Sequence, residues 1–404
     1  MNLRFPLICA LTVSALAGPY EAGNFQGRIA WSADGNHNDP DDWAASPVAL
    51  AIFAEAGLKD RLVHFDYNCI LPETDPDWER KHADSVLGAA RRYGYDPDRF
   101  FDCRKNLDVA VASLVQAING SSANDPLYFI IAGPMEVPFR AIEKADRAKR
   151  QFVYCISHSR WNDGYATNYK FTFTKRSVIE QDVHWTQIRD QNPLLSFGRY
   201  GQPASPEEFA PYFWMRDSRN AKVRFLWDRM VVSTRPDPSD AGMAWFLATG
   251  DEECDPTKLK RLLEEHQVPP PTLARRQVRF EAENFRHLEG FVVEDRKDKG
   301  ASHQLNIFVK ANAGHLRTRI DEPFMPGAGR YDAVIRHREG ANRCRYTFFI
   351  NGVPCGAAWD SAIGGGGWTN QIIRGVELRI SDEIRVDVEG ASARLDYVQF
   401  NLLN

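Results

Sequence analysis

A chain of 404 residues with 43% hydrophobic and 12% aromatic side chains is long and apolar enough for two cores, which excludes a disordered tail. Its net charge of −4, with 50 basic and 54 acidic residues interspersed, excludes a field that would hold nucleic acid.

The opening "MNLRFPLICALTVSALAGPY" sets one arginine before an apolar run ending in Ala15-Leu16-Ala17, the pattern of a signal peptide over 1–17 cleaved after Ala17. The expected destination is secreted or periplasmic. A membrane anchor is the alternative, but roughly 12 apolar residues fall short of the about 20 that a span needs, and nothing later is long and apolar enough. Cys69, Cys103, Cys155, Cys254, Cys344 and Cys355 then remain, with no framework spacing, and read mainly as buried free thiols.

From residue 28 to about 160, short apolar runs alternate with helical patterns, the signature of a mostly parallel sheet covered by helices. The strands read "RIAWSA" (28–33), "RLVHFDY" (61–67), "LYFIIAG" (127–133) and "QFVYCIS" (151–157). Helices read "DWERKHADSVLGAARRYG", "LDVAVASLVQAING", "EEFAPYFWMRDSRNAKVRFLWDRM" and "PTKLKRLLEEH", and His184 falls at helical, structural spacing. This α/β domain is expected over 24–266. Three consecutive prolines in "QVPPPTLARRQ" mark a linker over 267–277. Beyond it, over 278–404, short strand-like runs and glycine turns predict an all-β sandwich, with Asn351-Gly352 as a hairpin turn.

The densest chemistry lies in "WSADGNHNDPDDWAAS", where Asp34, Asp39, Asp41 and Asp42 accompany Asn36, His37 and Asn38 and no cation. It follows the first strand, and α/β sheets bind ligands beyond the carboxyl ends of their strands. One helix dipole, worth roughly 0.3–1 kcal/mol, does not offset repulsion among four carboxylates. A hard cation with oxygen ligands, such as Ca²⁺, does. The alternative is a solvated loop whose aspartates cap the helix.

This turn resembles the aspartate-rich DxDxxxDD turn of the inosine/uridine-preferring nucleoside hydrolase superfamily, which holds Ca²⁺ and sugar hydroxyls. Asn68 in "FDYNCI", "IIAGPMEVPFRAI" (130–142) and "DPSDAGMAWFLATGDE" (237–252) match later motifs of that family in order. The resemblance implies Asp34, Asp42 and Asp240 as metal ligands and Asn68 as a sugar contact; Asn36, Asn38 and Glu136, which replaces a residue of the family's turn, are further candidates for contacting substrate. The turn here is one residue longer, and Asn36 stands near where the family has an aspartate, so either Asp34 or Asp39 takes over as base or the chemistry differs, with Asp41 and His37 as further catalytic candidates. Ser239 replaces a histidine before Asp240, so the family's base-recognition site does not carry over. "CISHSRWNDGYATN" (155–168) adds Trp161 for sugar stacking and Asn162, Asp163 and Asn168 for hydroxyls, or else is an ordinary polar loop. His37, Glu136, His158 and Asp163 are alternatives for the general acid.

"FEAENF", "GRYDAVIRHREG", "YTFFINGV", "GGGGWTNQIIRGVELRISDEIRVDVEG" and "ARLDYVQF" together resemble the jelly-roll carbohydrate-binding modules of the family 6 and 35 type. That resemblance implies a structural Ca²⁺ on Glu281, Glu283 and Asp396, and Trp368 either as a sugar platform or as a buried loop anchor. The combined expectation is a secreted Ca²⁺-dependent glycosidase acting on carbohydrate, with no nucleic-acid or membrane partner and self-association left open. A non-catalytic sugar-binding protein and a true nucleoside N-ribohydrolase are the alternatives.

Overall fold

The computed structural model describes residues 20–21, 24–37, 39–71, 75–164, 173–270, 276–294, 298–321, 325, 327–364 and 366–403. The expected signal peptide, Asn38, Asn168, linker residues 271–275 and Gly365 lie outside them.

Six parallel strands build the N-terminal unit: β1 (Arg28–Ala33), β2 (Leu62–Tyr67), β3 (Phe100–Asp102), β4 (Leu127–Ala132), β5 (Val153–Ser157) and β6 (His184–Gln187). Their order is 3-2-1-4-5-6, with every pairing parallel. The order reverses between β1 and β4, which opens a crevice at their carboxyl ends. Two of these strands depart from the sequence reading. β3 is too short for a periodic signal, and His184 lies on a strand, its ring stacked on Tyr154 at 4.5 Å.

Alternation along the central strands divides the core. Trp31, Phe65, Ile130 and Ile156 enter one apolar cluster, while Ala30, Phe129, Ile131 and Cys155 enter another. Helices α1 (Asp42–Glu55) and α2 (Pro76–Tyr93) contribute to the first cluster, and α3 (Cys103–Asn119) and α4 (Glu136–Lys144) to the second. Trp31 stacks on Phe65 with centroids 5.7 Å apart. Nearly all of α1 is buried, as a helix apolar on every side must be. The long helical run expected around residues 207–230 is broken instead. Asp217 ends one short helix, and the Asn220 side chain caps the next, Ala221–Val232. Among the described residues no helix is long and apolar enough to cross a membrane, and all six described cysteines are free.

The C-terminal unit is two antiparallel sheets facing each other. In one, Ala313–Arg319, Glu383–Glu389 and Arg345–Ile350 are neighbours. In the other, the last strand, Arg394–Leu402, pairs with Asn306–Val309, Gly329–Arg338 and the opening strand Gln277–Glu281. Tyr331, Phe348, Val386 and Phe400 meet in the core between them. Asn351 and Gly352 both take positive φ, 48° and 76°, as a two-residue hairpin requires.

The two units are joined through side chains. Arg176, on the short helix Lys175–Ile179, donates to the carbonyls of Phe285 at 2.6 Å and Arg286 at 2.5 Å. Asp321 of the sandwich pairs with His184 at 2.5 Å and Arg286 at 2.9 Å. Hydrogen bonds from charged donors contribute about 1.5–3 kcal/mol. Arg176→Ala is therefore expected to loosen the seam, splitting thermal unfolding into two separated transitions and speeding proteolysis within 267–277.

Candidate functional site

The acidic turn occupies the switch-point crevice. Asp34 follows β1, and a Cβ at Gly133, just after β4, would come within 3.0 Å of its Oδ1. Glycine there is what lets the two turns touch. Gly35 turns the chain at φ +93°, and the indole of Trp43 donates to its carbonyl at 2.7 Å. Asp41 then caps α1, accepting from the Asp42 amide at 3.1 Å.

Asp34, Asp39 and Asp42 are all buried. Apart from a proton shared between these two carboxyls, Asp34 Oδ2 and both oxygens of Asp42 have no hydrogen-bond donor. Burial pushes the Asp34 carboxyl up to about 8, with a hydrogen bond to Asp42 pulling the other way. Burial and the Asp34 charge drive Asp42 well above the carboxylate range. These two carboxyls accommodate each other only if one holds a proton, or if a cation lies between them. Asp39 and Asp41 form a second such pair. Burial raises both, so the pair resists ionising twice and holds one proton between its two carboxyls.

Asp240 approaches from the far side, at the start of the buried helix Ala241–Thr249. Its Oδ1 accepts from Asn162 Nδ2 at 3.2 Å and stands 2.6 Å from His158 Nε2. Its charge raises Asp34, Asp39, Asp41 and Asp42 alike. Burial works against charge on the His158 ring, but Asp190 and Asp240 outweigh it and lift the imidazole to about 10. The ring's Nδ1 has alternative partners: unprotonated, it accepts from the Gln191 amide at 3.2 Å; protonated, it faces Asp190 Oδ1 at 3.5 Å.

A pocket of about 260 Å³ opens here, lined by Asp39, Asp41, His158, Asn162 and Asp240, with Trp161 at its edge, 41% exposed. Arg235 and Ser239 also line it, and Arg235 pairs with the fully buried Asp237, which accepts from Ser196 Oγ at 2.7 Å. The sequence reading missed this Arg235–Asp237 pair, because a lone Arg-x-Asp carries no periodic or spacing signal.

Other expected site residues stand differently. Asn36 sits in the turn with its side chain on backbone: its amide donates to the Ile70 carbonyl at 2.9 Å and accepts from the Ile70 amide at 3.1 Å. Asn68, at φ +60°, is spent on Asp102, the Glu79 carbonyl and His82. Both departures have one cause, since a buried primary amide must satisfy its donors and acceptor, and here backbone and neighbouring side chains do so. Asp163 accepts from Lys175 at 2.9 Å, and Glu136 accepts twice from Arg140. His37 is half-buried and is not among the residues lining the pocket. Among the described residues, no three His, Cys, Asp or Glu side chains converge into a set that could hold a metal ion as they stand.

In the sandwich, Ser302 bridges the first and last strands: its amide donates to Asp396 at 2.9 Å, and its hydroxyl lies within hydrogen-bond reach of Glu281 and, at 2.7 Å, of Asp396. Arg336 pairs with Asp396 at 3.0 Å. Glu283 is buried with both carboxyl oxygens undonated, and burial lifts it to about 7 against the pull of Lys175. Trp368 is partly buried, its indole donating to Asp298 at 3.3 Å and its ring closed over Gly300.

No protein-family model matches the chain. About a third of it is similar to a family 35 carbohydrate binding module from Clostridium thermocellum, at 16% identity and a TM-score of 0.26, covering 31% of this chain and 98% of that one. A GH26-CBM35 β-(1,4)-mannanase from Podospora anserina is similar over 32% of this chain and 28% of its own, at 18% identity and a TM-score of 0.26. An uncharacterized protein, P22, of Formosa agariphila is 32% identical over 244 residues, 56% of this chain and 84% of that protein. The chain therefore belongs to the family of Formosa agariphila protein P22.

Proposed function

We propose that the acidic pocket hydrolyses a glycosidic bond in an external glycan, with Ca²⁺ held by Asp34, Asp42 and Asp240. The observation that carries this reading is the set of buried carboxyl oxygens on Asp34 and Asp42 that no donor outside the pair reaches, beside a pocket open to solvent. Oxygen-only donors of this kind fit a hard cation. Bound there, the ion would neutralise the carboxylates and orient sugar hydroxyls.

The chain's own groups supply the proton chemistry. Asp39 and Asp41 both line the pocket and share one proton, so the pair can give a proton to a leaving oxygen or take one from a water. The remaining carboxylates stabilise positive charge developing at the anomeric carbon. Trp161 offers an exposed ring at the rim for a sugar face. His158 and Asn162 hold Asp240 and act as positioning residues. In the sandwich, the undonated oxygens of Glu283 fit a second Ca²⁺ shared with Glu281 and Asp396, and the unit would serve as a carbohydrate-binding module.

Sugar binding without turnover is the second reading. It is favoured by Asn36, which stands near where the resembled family has its base and is tied to Ile70 instead, and by the lack of a converged ligand triad among the described residues. One experiment separates the two. Purified full chain is analysed for bound metal and assayed on 4-nitrophenyl glycosides, inosine and uridine, with and without chelator. Glycoside turnover lost on chelation and restored by Ca²⁺ is expected. Turnover of nucleosides alone would identify an N-ribohydrolase, and glycan-array binding with no turnover would establish the second reading.

A further inference from the structure

We infer that the cleft between the α/β unit and the sandwich is a second stretch of binding site, taking a neutral oligosaccharide that runs out of the acidic pocket past His158. The inference rests on the glycan reading above and adds the substrate's length and charge class. The cleft measures about 710 Å³, within the roughly 300–1,000 Å³ of small-molecule sites, against about 260 Å³ for the acidic pocket. His158 lines both, so the two spaces adjoin at that ring.

Both walls are polar and carry charges of both signs. On the α/β side, Arg189 pairs with Glu253 and its amide donates to Glu252 at 2.9 Å. On the sandwich side, Arg279 donates twice to Gln399 Oε1, at 3.1 and 2.9 Å, and lies 4.1 Å from the centre of the Tyr397 ring. A wall that mixes both signs of charge with side-chain amides presents hydrogen-bond groups without one dominant sign, which suits neutral hydroxyls over a charged ligand. Gln187, also in the cleft, spends its oxygen on Lys175 at 2.8 Å while its buried Nε2 has no acceptor. The walls are held in register by Arg176 and Asp321 across the seam, so the cleft is a preformed surface.

The test uses the full chain on an array of cello-, manno-, xylo- and galacto-oligosaccharides, monosaccharide to hexasaccharide, with oligogalacturonate as the acidic comparison. Affinity is expected to rise with chain length for one neutral series. Arg279→Ala with Gln399→Ala should lower hexasaccharide affinity about tenfold relative to monosaccharide, the effect of losing one or two hydrogen bonds. Gln277→Trp, which fills the cleft from an exposed strand position, should do the same and guards against misfolding of the first variant. Length-independent affinity, equal binding by wild type and both variants, preference for oligogalacturonate, or no glycan retained would each overturn the inference. Failure of the hydrolysis reading alone appears differently, as length-dependent binding with no turnover.

Discussion

With a chelator present, the thermal stability of the α/β unit is expected to fall as pH rises from about 4 to about 8, and Ca²⁺ should flatten or reverse that slope. The sign follows from Asp34. Its carboxyl titrates near 3.8 when unfolded and near 8 in the fold, because burial and its acidic neighbours favour the neutral form. Between those values the folded state binds more protons than the unfolded one, so stability is full below the lower value and is lost as pH climbs through the upper. Each pKa unit is worth about 1.4 kcal/mol, so Asp34 alone sets a ceiling of about 6 kcal/mol, which sharing a proton with Asp42 reduces. At about 2–4 °C per kcal/mol for a domain of this size, the drop should be several degrees. A cation binds the ionised carboxylates and opposes the trend, contributing about 2.7 kcal/mol at a hundred times its dissociation constant. Asp42→Asn removes one of the facing pair, so it should shrink the pH slope in chelator and abolish the Ca²⁺ response together. Calorimetry at pH 5, 7 and 8.5 reads both; a melting temperature indifferent to pH and Ca²⁺ in the wild type would remove the basis for a cation here.

How far this site was legible in the sequence depended on whether a residue's role is fixed by chain position or by its neighbours. β1, β2, β4 and β5 were legible because strands buried on both faces read as unbroken apolar runs. The aspartates of the turn were legible because four carboxylates between strand and helix have few uses. Short edge strands such as Phe100–Asp102 and His184–Gln187 lack that signal, since their side chains answer to tertiary partners: Asp102 to Asn68, His184 to Tyr154 and Asp321. Asn36 and Asn68 show the same limit at the site. Composition marks an asparagine as able to bind a hydroxyl, but only the fold reveals that Ile70, Asp102 and His82 have already claimed its amide. The joint role of His158 was equally hidden, because Asp190 and Asp240, its two partners, lie 32 and 82 residues away.

Asp240→Asn is expected to lower glycoside turnover by about 10²- to 10⁴-fold, the range of a lost acid–base or charge-stabilising group, while raising the melting temperature at pH 8. The opposed directions come from one fact: Asp240 adds repulsion to four crowded carboxyls that already resist ionisation. Removing its charge relieves that repulsion and takes away the anion that draws His158 and Asn162 into the site. Active sites are often destabilised in this way, and neutralising them trades activity for stability. His158→Gln tests the same arrangement from the other side: it removes the cation facing Asp240, so turnover should fall and stability at pH 8 should fall with it. Were Asp240 only structural, its replacement would cost stability and leave the pH profile of turnover unmoved. Paired melting curves and kcat–pH profiles of the two variants therefore distinguish a charge kept for chemistry from one kept for folding.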